Sequence, residues 1–309
     1  MRKSLLFFVV SSILNGCAHD FSLNTIDEVD PMTGELVDTG ETVEEKTDLQ
    51  DEEEDENHHT AEEPLEDPPA EDDCEDTSDL VYVIDKDSEE LFLFHPDSLN
   101  LESLGVLDCD YWSSPASMGV ARDGFAYVRY ADDTVYAVDL ESMACTPTNY
   151  GDSPNNFGSF GMGYATQSAN TWRDDLFVAN NDRLARLDDT TWTLEQLGRL
   201  PSQAELTGNA EGELWAFLPL ESPAELVKLD KNDGSVKKTI TMPQFPDPYD
   251  IDTFAFATWG GDFYLFVRLY GMGTSTDVYR VDPSGKMTKV LENIGINVVG
   301  AGVSTCAPS

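Results

Sequence analysis

The chain has 309 residues, 60 of them Asp or Glu and 18 Lys or Arg, for a formal net charge of −42. A surplus of that size repels nucleic-acid phosphates and argues against nucleic acid as a partner. Apolar residues make up 40% of the chain, but they are unevenly spread, and their distribution divides it into three parts.

The first part runs to residue 16. Arg2 and Lys3 precede an apolar stretch over residues 5–14, and Leu14-Asn15-Gly16-Cys17 follows. That stretch is too short to span a hydrocarbon core, which needs about 20 helical residues, so it reads as a removable signal. Leu14, Gly16 and Cys17 resemble the lipobox of bacterial lipoproteins, although Asn15 is a less usual occupant of its position. The resemblance implies a signal peptide over residues 1–16 and a mature chain that begins at Cys17, which carries a thioether-linked diacylglycerol and an N-acyl chain such as palmitate. Several acyl chains hold a soluble domain on a membrane without a transmembrane segment. In that family an Asp after the cysteine often marks inner-membrane retention; here Ala18 follows. The expected location is therefore the bacterial outer membrane, lipid-anchored, with the chain periplasmic or surface-exposed. The alternative is an ordinary secretory signal with a chance cysteine at its end.

Residues 18–79 hold 26 Asp and Glu against the single Lys46. Isolated apolar residues cannot bury a core, and charge repulsion with Pro64, Pro68 and Pro69 extends the segment, so residues 17–79 read as the lipidated cysteine and a disordered acidic tether. Acidic runs at 51–56 and 71–76 would either collect divalent cations or serve only as a solvated spacer.

From residue 80 to 309 the pattern changes to short alternating runs of aromatic and β-branched residues separated by Gly, Asp, Asn and Pro, the mark of many strands in one domain. A unit recurs every 44 to 47 residues. Its inner strands start near 117, 161, 206, 253 and 298, an aromatic strand follows each of the first four, and the third strands of those units end on Asp139, Asp188, Asp230 and Asp282 before a turn. Four antiparallel strands per unit predict an all-β, five-bladed propeller. Gly119, Gly163, Gly208, Ala255 and Gly300 recur at one place in the inner strands, where small side chains would let five strands converge. Residues 298–304 supply an inner strand, and 80–84, 91–94 and 101–107 supply the other three of the same blade, so the C-terminal strand closes the ring and leaves no exposed edge. A β-sandwich is the rival, but it does not require five similar units.

With Cys17 assigned to lipid, Cys74, Cys109, Cys145 and Cys306 remain for two disulfides in an exported protein. The ring favours Cys74 with Cys306 across the seam, which leaves Cys109 with Cys145. No CxxC or closely spaced His pair supports a metal site at these cysteines.

Loops entering the inner strands and loops between second and third strands share one face and are rich in aromatics: Tyr111, Trp112, Tyr130, Tyr150, Phe157, Phe245, Tyr249 and Tyr270. These rings would stack a sugar or grip a peptide, or else cap the blade ends. Three residues before the small position stand Ala116, Phe160, Glu205, Asp252 and Asn297. Glu205, Asp252 and Asn297 are oxygen donors that would hold a divalent cation or act as an acid/base pair, as in five-bladed glycosidases and lactonases, or remain solvated rim groups. No Ser/His/Asp or Cys/His constellation can be assembled, and the Gly-rich pieces lack phosphate-loop spacing.

Phe160-Gly161-Met162-Gly163, Glu205-Leu206-Thr207-Gly208, residues 259–266 (Trp259-Gly260-Gly261-Asp262-Phe263-Tyr264-Leu265-Phe266) and residues 299–308 (Val299-Gly300-Ala301-Gly302-Val303-Ser304-Thr305-Cys306-Ala307-Pro308) resemble a group of uncharacterised propeller-type lipoproteins from myxobacteria and relatives. The resemblance spans roughly residues 110–309 and implies no activity. The expected function is a membrane-anchored envelope lipoprotein whose propeller binds or scaffolds a protein or saccharide partner through its loop face, with no catalysis required and no obligatory cofactor. The alternatives are a propeller-type hydrolase or lactonase with a divalent cation at the channel mouth, and a structural spacer that docks into a larger envelope assembly.

Overall fold

A computed structural model describes residues 80–109, 112–151, 157–169, 171, 173–271 and 275–309. Cys17, the acidic segment, Cys74 and Tyr111 lie outside the described residues.

Five four-stranded antiparallel sheets form a five-bladed β-propeller. Blade 1 combines β20 (Val298–Val303) with β1 (Val81–Asp85), β2 (Glu90–His95) and β3 (Asn100–Val106). Blade 2 is β4 (Pro115–Val120), β5 (Phe125–Tyr130), β6 (Val135–Asp139) and β7 (Cys145–Pro147). Blade 3 is β8 (Gly161–Thr166), β9 (Asp174–Asn180), β10 (Arg183–Leu187) and β11 (Leu194–Arg199). Blade 4 is β12 (Glu205–Gly208), β13 (Leu214–Leu218), β14 (Ala224–Leu229) and β15 (Val236–Met242). Blade 5 is β16 (Ile251–Trp259), β17 (Asp262–Leu269), β18 (Asp277–Val281) and β19 (Met287–Leu291).

Burial falls from the axis outward, and the sequence of each strand follows it. The inner strands β8, β12 and β20 are buried at every residue, because each is covered by a blade on both sides. Outer strands alternate with water, as in Lys237, Lys238 and Thr239 of β15, of which only Ile240 and Met242 turn inward. Aromatic rings fill the wedge between blades, with Phe94 edge-on to Tyr264 and Phe266 at 5.4 Å each, and Trp215 to Phe263 at 4.8 Å.

The convergence of inner strands explains two glycines directly. A Cβ on Gly163 would lie 2.5 Å from the Leu206 carbonyl oxygen, and one on Gly208 would lie 2.4 Å from both the Tyr164 oxygen and the Ala165 Cβ. Backbone meets backbone there. At Gly119 the added carbon would touch only the Met162 and Leu176 side chains, at 3.4 Å or more, so crowding is not the reason for that glycine.

Aspartates open the turns after the third strands because their carboxylates take the free backbone N–H groups of the turn: Asp139 accepts from Glu141 and Ser142 (3.0 and 2.9 Å), and Asp282 accepts from Ser284 and Lys286 (2.9 and 3.1 Å). Closure runs through β20 and β1, paired from Val303 with Val81 to Val298 with Asp85. Cys109, just past β3, bonds Cys145 at the start of β7, tying blade 1 to blade 2 across a separation of 36 residues. Cys306 is also disulfide-bonded; its expected partner Cys74 lies outside the described residues.

Candidate functional site

The face where the inner strands begin, here the upper face, covers a buried polar knot. Ser117 sits fully buried in β4, where its hydroxyl accepts from the Met162 backbone N–H at 3.2 Å and donates to Glu205 Oε2 at 3.0 Å. Glu205 opens β12 and is 6% exposed. Gly161 makes the room it occupies, since a Cβ there would lie 2.9 Å from the Glu205 carboxyl carbon. Burial pushes the Glu205 carboxyl up to about 8, against the lowering pull of the Ser117 hydrogen bond and the Arg129 charge. Arg129 of β5 is buried alongside and spends its donors elsewhere: Nε on the Phe160 carbonyl at 2.8 Å and Nη1 on the Tyr130 carbonyl at 2.9 Å, with Asp133 at 3.5 Å. Burial pulls its pKa down while Glu205 and Asp133 hold it up.

The other two oxygen donors read from the sequence have different partners. Asp252 pairs with Arg268 at 3.1 Å, while the Asn297 side-chain oxygen accepts from Thr253 at 2.9 Å and its backbone N–H donates to Asp85 at 2.7 Å. Among the described residues no group of three or more His, Cys, Asp or Glu is placed to hold a metal ion. The expectation of solvated rim groups needs correction as well, because Glu205 and Asn297 are buried. Their work is to stitch blades together beneath the surface: Ser117 to Glu205 joins blade 2 to blade 4, and Thr253 to Asn297 joins blade 5 to the strand that closes blade 1. An acid held neutral near pH 7 could donate a proton, but this one is buried.

The loop aromatics divide into two sets. Tyr150, Phe157, Phe245 and Tyr130 are buried and cap the blades; Tyr150 donates its hydroxyl to the Phe157 carbonyl at 2.6 Å and packs edge-on against Phe160. Tyr150 is therefore a packing residue, not an open binding group. Trp112, Tyr249 and Tyr270 are instead 101%, 93% and 63% exposed. Tyr249 is presented by a single turn, Pro248–Asp250, which Asp247 caps by accepting the Tyr249 N–H at 3.0 Å. Tyr270 stands beside it, its backbone N–H on the Asp250 carbonyl at 2.8 Å. Leu220, in the loop between β13 and β14, is exposed on the same face. Of the large exposed apolar side chains among the described residues, only Val106 and Val236 lie elsewhere, on outer strands.

At the opposite, lower mouth a second polar knot escaped the sequence reading. Asp174 Oδ2, at the start of β9, receives Arg122 Nε at 3.1 Å and the Thr305 hydroxyl at 2.6 Å, and Arg122 Nη2 also donates to Thr305 at 2.9 Å. These three residues come from blades 3, 2 and 1, with 52 and 131 residues separating Asp174 from its two partners. Their only sequence signal is polarity at the ends of apolar inner strands.

No protein-family model and no curated protein matches the chain. Two of the solved structures similar to it are a protein of unknown function from Bacteroides caccae and a chain of the mitotic checkpoint complex. The first is 8% identical with a TM-score of 0.41, covering 72% of this chain and 97% of its own. The second is 13% identical with a TM-score of 0.41, covering 74% of this chain and 82% of its own. Neither likeness bears on function.

Proposed function

We propose that the protein is a lipid-anchored lipoprotein of the bacterial envelope, in which the acidic segment tethers a propeller that binds a protein or saccharide partner through its upper face, without catalysis. The observation that carries the reading is that Trp112, Leu220, Tyr249 and Tyr270 are exposed on that face, while Tyr130, Tyr150, Phe157 and Phe245 are buried. Exposed rings held on a rigid scaffold supply contact area at low entropic cost. Anchoring rests on Cys17 and the apolar stretch before it.

Two measurements test this. Cys17→Ser should move the protein from the membrane fraction to the soluble one, and unchanged sedimentation removes the anchor. A photo-crosslinking residue at Trp112 or Tyr249 on intact cells should give adducts that the same residue at Val236 does not; equal labelling at all three removes the upper face as the binding surface. The hydrolase or lactonase reading would need Glu205 and Asp252 free to hold a divalent cation, and their ties to Ser117 and Arg268 weigh against it. A calcium-dependent rise in melting temperature that Asp252→Asn abolishes would restore it.

A further inference from the structure

On the lower face a groove of about 440 Å³ opens between blades 3 and 4, lined by Gln167, Asp175, Arg186, Asp230, Lys231, Asn232 and Lys237 over a floor of Phe177 and Leu229. Its charge runs against that of the molecule. Three cations and two carboxylates meet there, in a chain whose net charge is −42. Both carboxylates already have partners: Asp175 accepts from Gln167 at 3.1 Å and faces Arg186 at 3.4 Å, and Asp230 pairs with Lys237 at 2.8 Å and accepts from Asn232 at 3.0 Å.

Lys231 is the exception. Its ammonium group is held by two backbone carbonyls, Thr166 at 2.5 Å and Gln167 at 2.9 Å, and among the described residues no carboxylate lies within ion-pair distance of it. An ammonium has three donors, so the two carbonyls leave one N–H unused. Burial pulls its pKa down and the surrounding aspartates hold it up. The walls around it alternate amide, carboxylate and ammonium groups, which both donate to and accept from hydroxyls, and the floor is apolar. A cavity of this size admits a sugar ring or two.

We propose that this groove binds an anionic saccharide, a sugar unit carrying a carboxylate, with Lys231 taking the carboxylate, Arg186 and Lys237 adding positive charge beside it, and Gln167, Asn232, Asp175 and Asp230 taking hydroxyls. The site is separate from the upper face and does not depend on the reading of that face.

The test is calorimetric titration of the purified full chain with trigalacturonate, with maltotriose as the neutral sugar and citrate as the anion without a sugar. Saturable binding of trigalacturonate is expected, at least tenfold tighter than either control. Lys231→Gln should weaken it by at least tenfold, whereas Trp112→Ala on the other face should leave it unchanged. Should Lys231→Gln fold poorly because two carbonyls lose their donor, Lys237→Gln and Arg186→Gln together should still weaken binding several-fold in a protein that melts normally. No saturable heat with trigalacturonate, equal binding of maltotriose or citrate, or unchanged affinity in folded Lys231→Gln or in the double variant would each overturn the proposal.

Discussion

The two mouths of the propeller bury carboxyl groups in opposite ways. Beneath the upper mouth, Glu205 has a hydroxyl on it and a guanidinium nearby that is occupied with backbone carbonyls, and burial pushes its pKa to about 8. At the lower mouth, Asp174 takes the guanidinium of Arg122 and the hydroxyl of Thr305 on a single oxygen. A carboxyl removed from water must be either protonated or paired, and the two mouths use one solution each. The upper one makes stability sensitive to pH; the lower one makes it sensitive to the loss of a partner.

The largest expected effect belongs to Glu205. Its pKa in the fold, about 8, lies above its ordinary 4.5. Below about pH 4.5 both folded and unfolded chains hold the proton and nothing is lost. Between 4.5 and 8 the unfolded chain releases a proton that the fold keeps, so stability declines as pH rises and levels off above 8. The full difference is roughly 4–5 kcal/mol. Glu205→Gln removes it, so the variant should melt close to wild type at pH 4.5 and well above it at pH 8, by about 2–4 °C per kcal/mol. Parallel melting profiles across that range would show that Glu205 is not held neutral.

Next comes Arg122→Met, which leaves the Asp174 carboxylate buried without its cation and should cost about 3–5 kcal/mol. Adding Asp174→Asn should recover much of the loss, and a chemical melt of the two variants side by side shows whether it does. If Arg122→Met alone is harmless, the lower mouth is not paired in solution as described. Ser117→Ala should cost about 1–2 kcal/mol through the Met162 N–H and Glu205 oxygen it leaves behind. It should also shift the Glu205 transition to higher pH, because that hydrogen bond lowers the pKa. Thr305→Val, which removes one hydroxyl from an ion pair that survives, is the mildest at about 1 kcal/mol.

The fold was legible because it is written as repetition. Strand alternation, the aspartate after the third strand in four of the blades and the small residue in each inner strand recur at a near-constant period; the first two follow local rules of sheet and turn, and close approach explains the third at Gly163 and Gly208. The closing strand could be read because the incomplete unit at one end lacked what the other end supplied. The polar knots could not, since Arg122, Asp174 and Thr305 meet only after three blades have folded. Glu205 was picked out by position alone, and the hint that it turns inward lay 44 residues earlier, in Gly161, which leaves the space for its carboxyl. Among the loop aromatics, sequence placed the rings on one face but could not separate Tyr150, which packs inward, from Tyr249, which the capped turn holds out.

The pairing of β20 with β1 also sets an order of events. β1 is among the first strands of the domain to be made, yet its inner neighbour is the last, and the Asp85 to Asn297 hydrogen bond spans 212 residues. Contacts of that separation are slow to form and cannot form on a growing chain. Until residues 298–303 arrive, β1 offers an unpaired edge and four finished blades have no ring to belong to. A chain cut short before that strand would therefore keep an open edge that invites pairing with other chains.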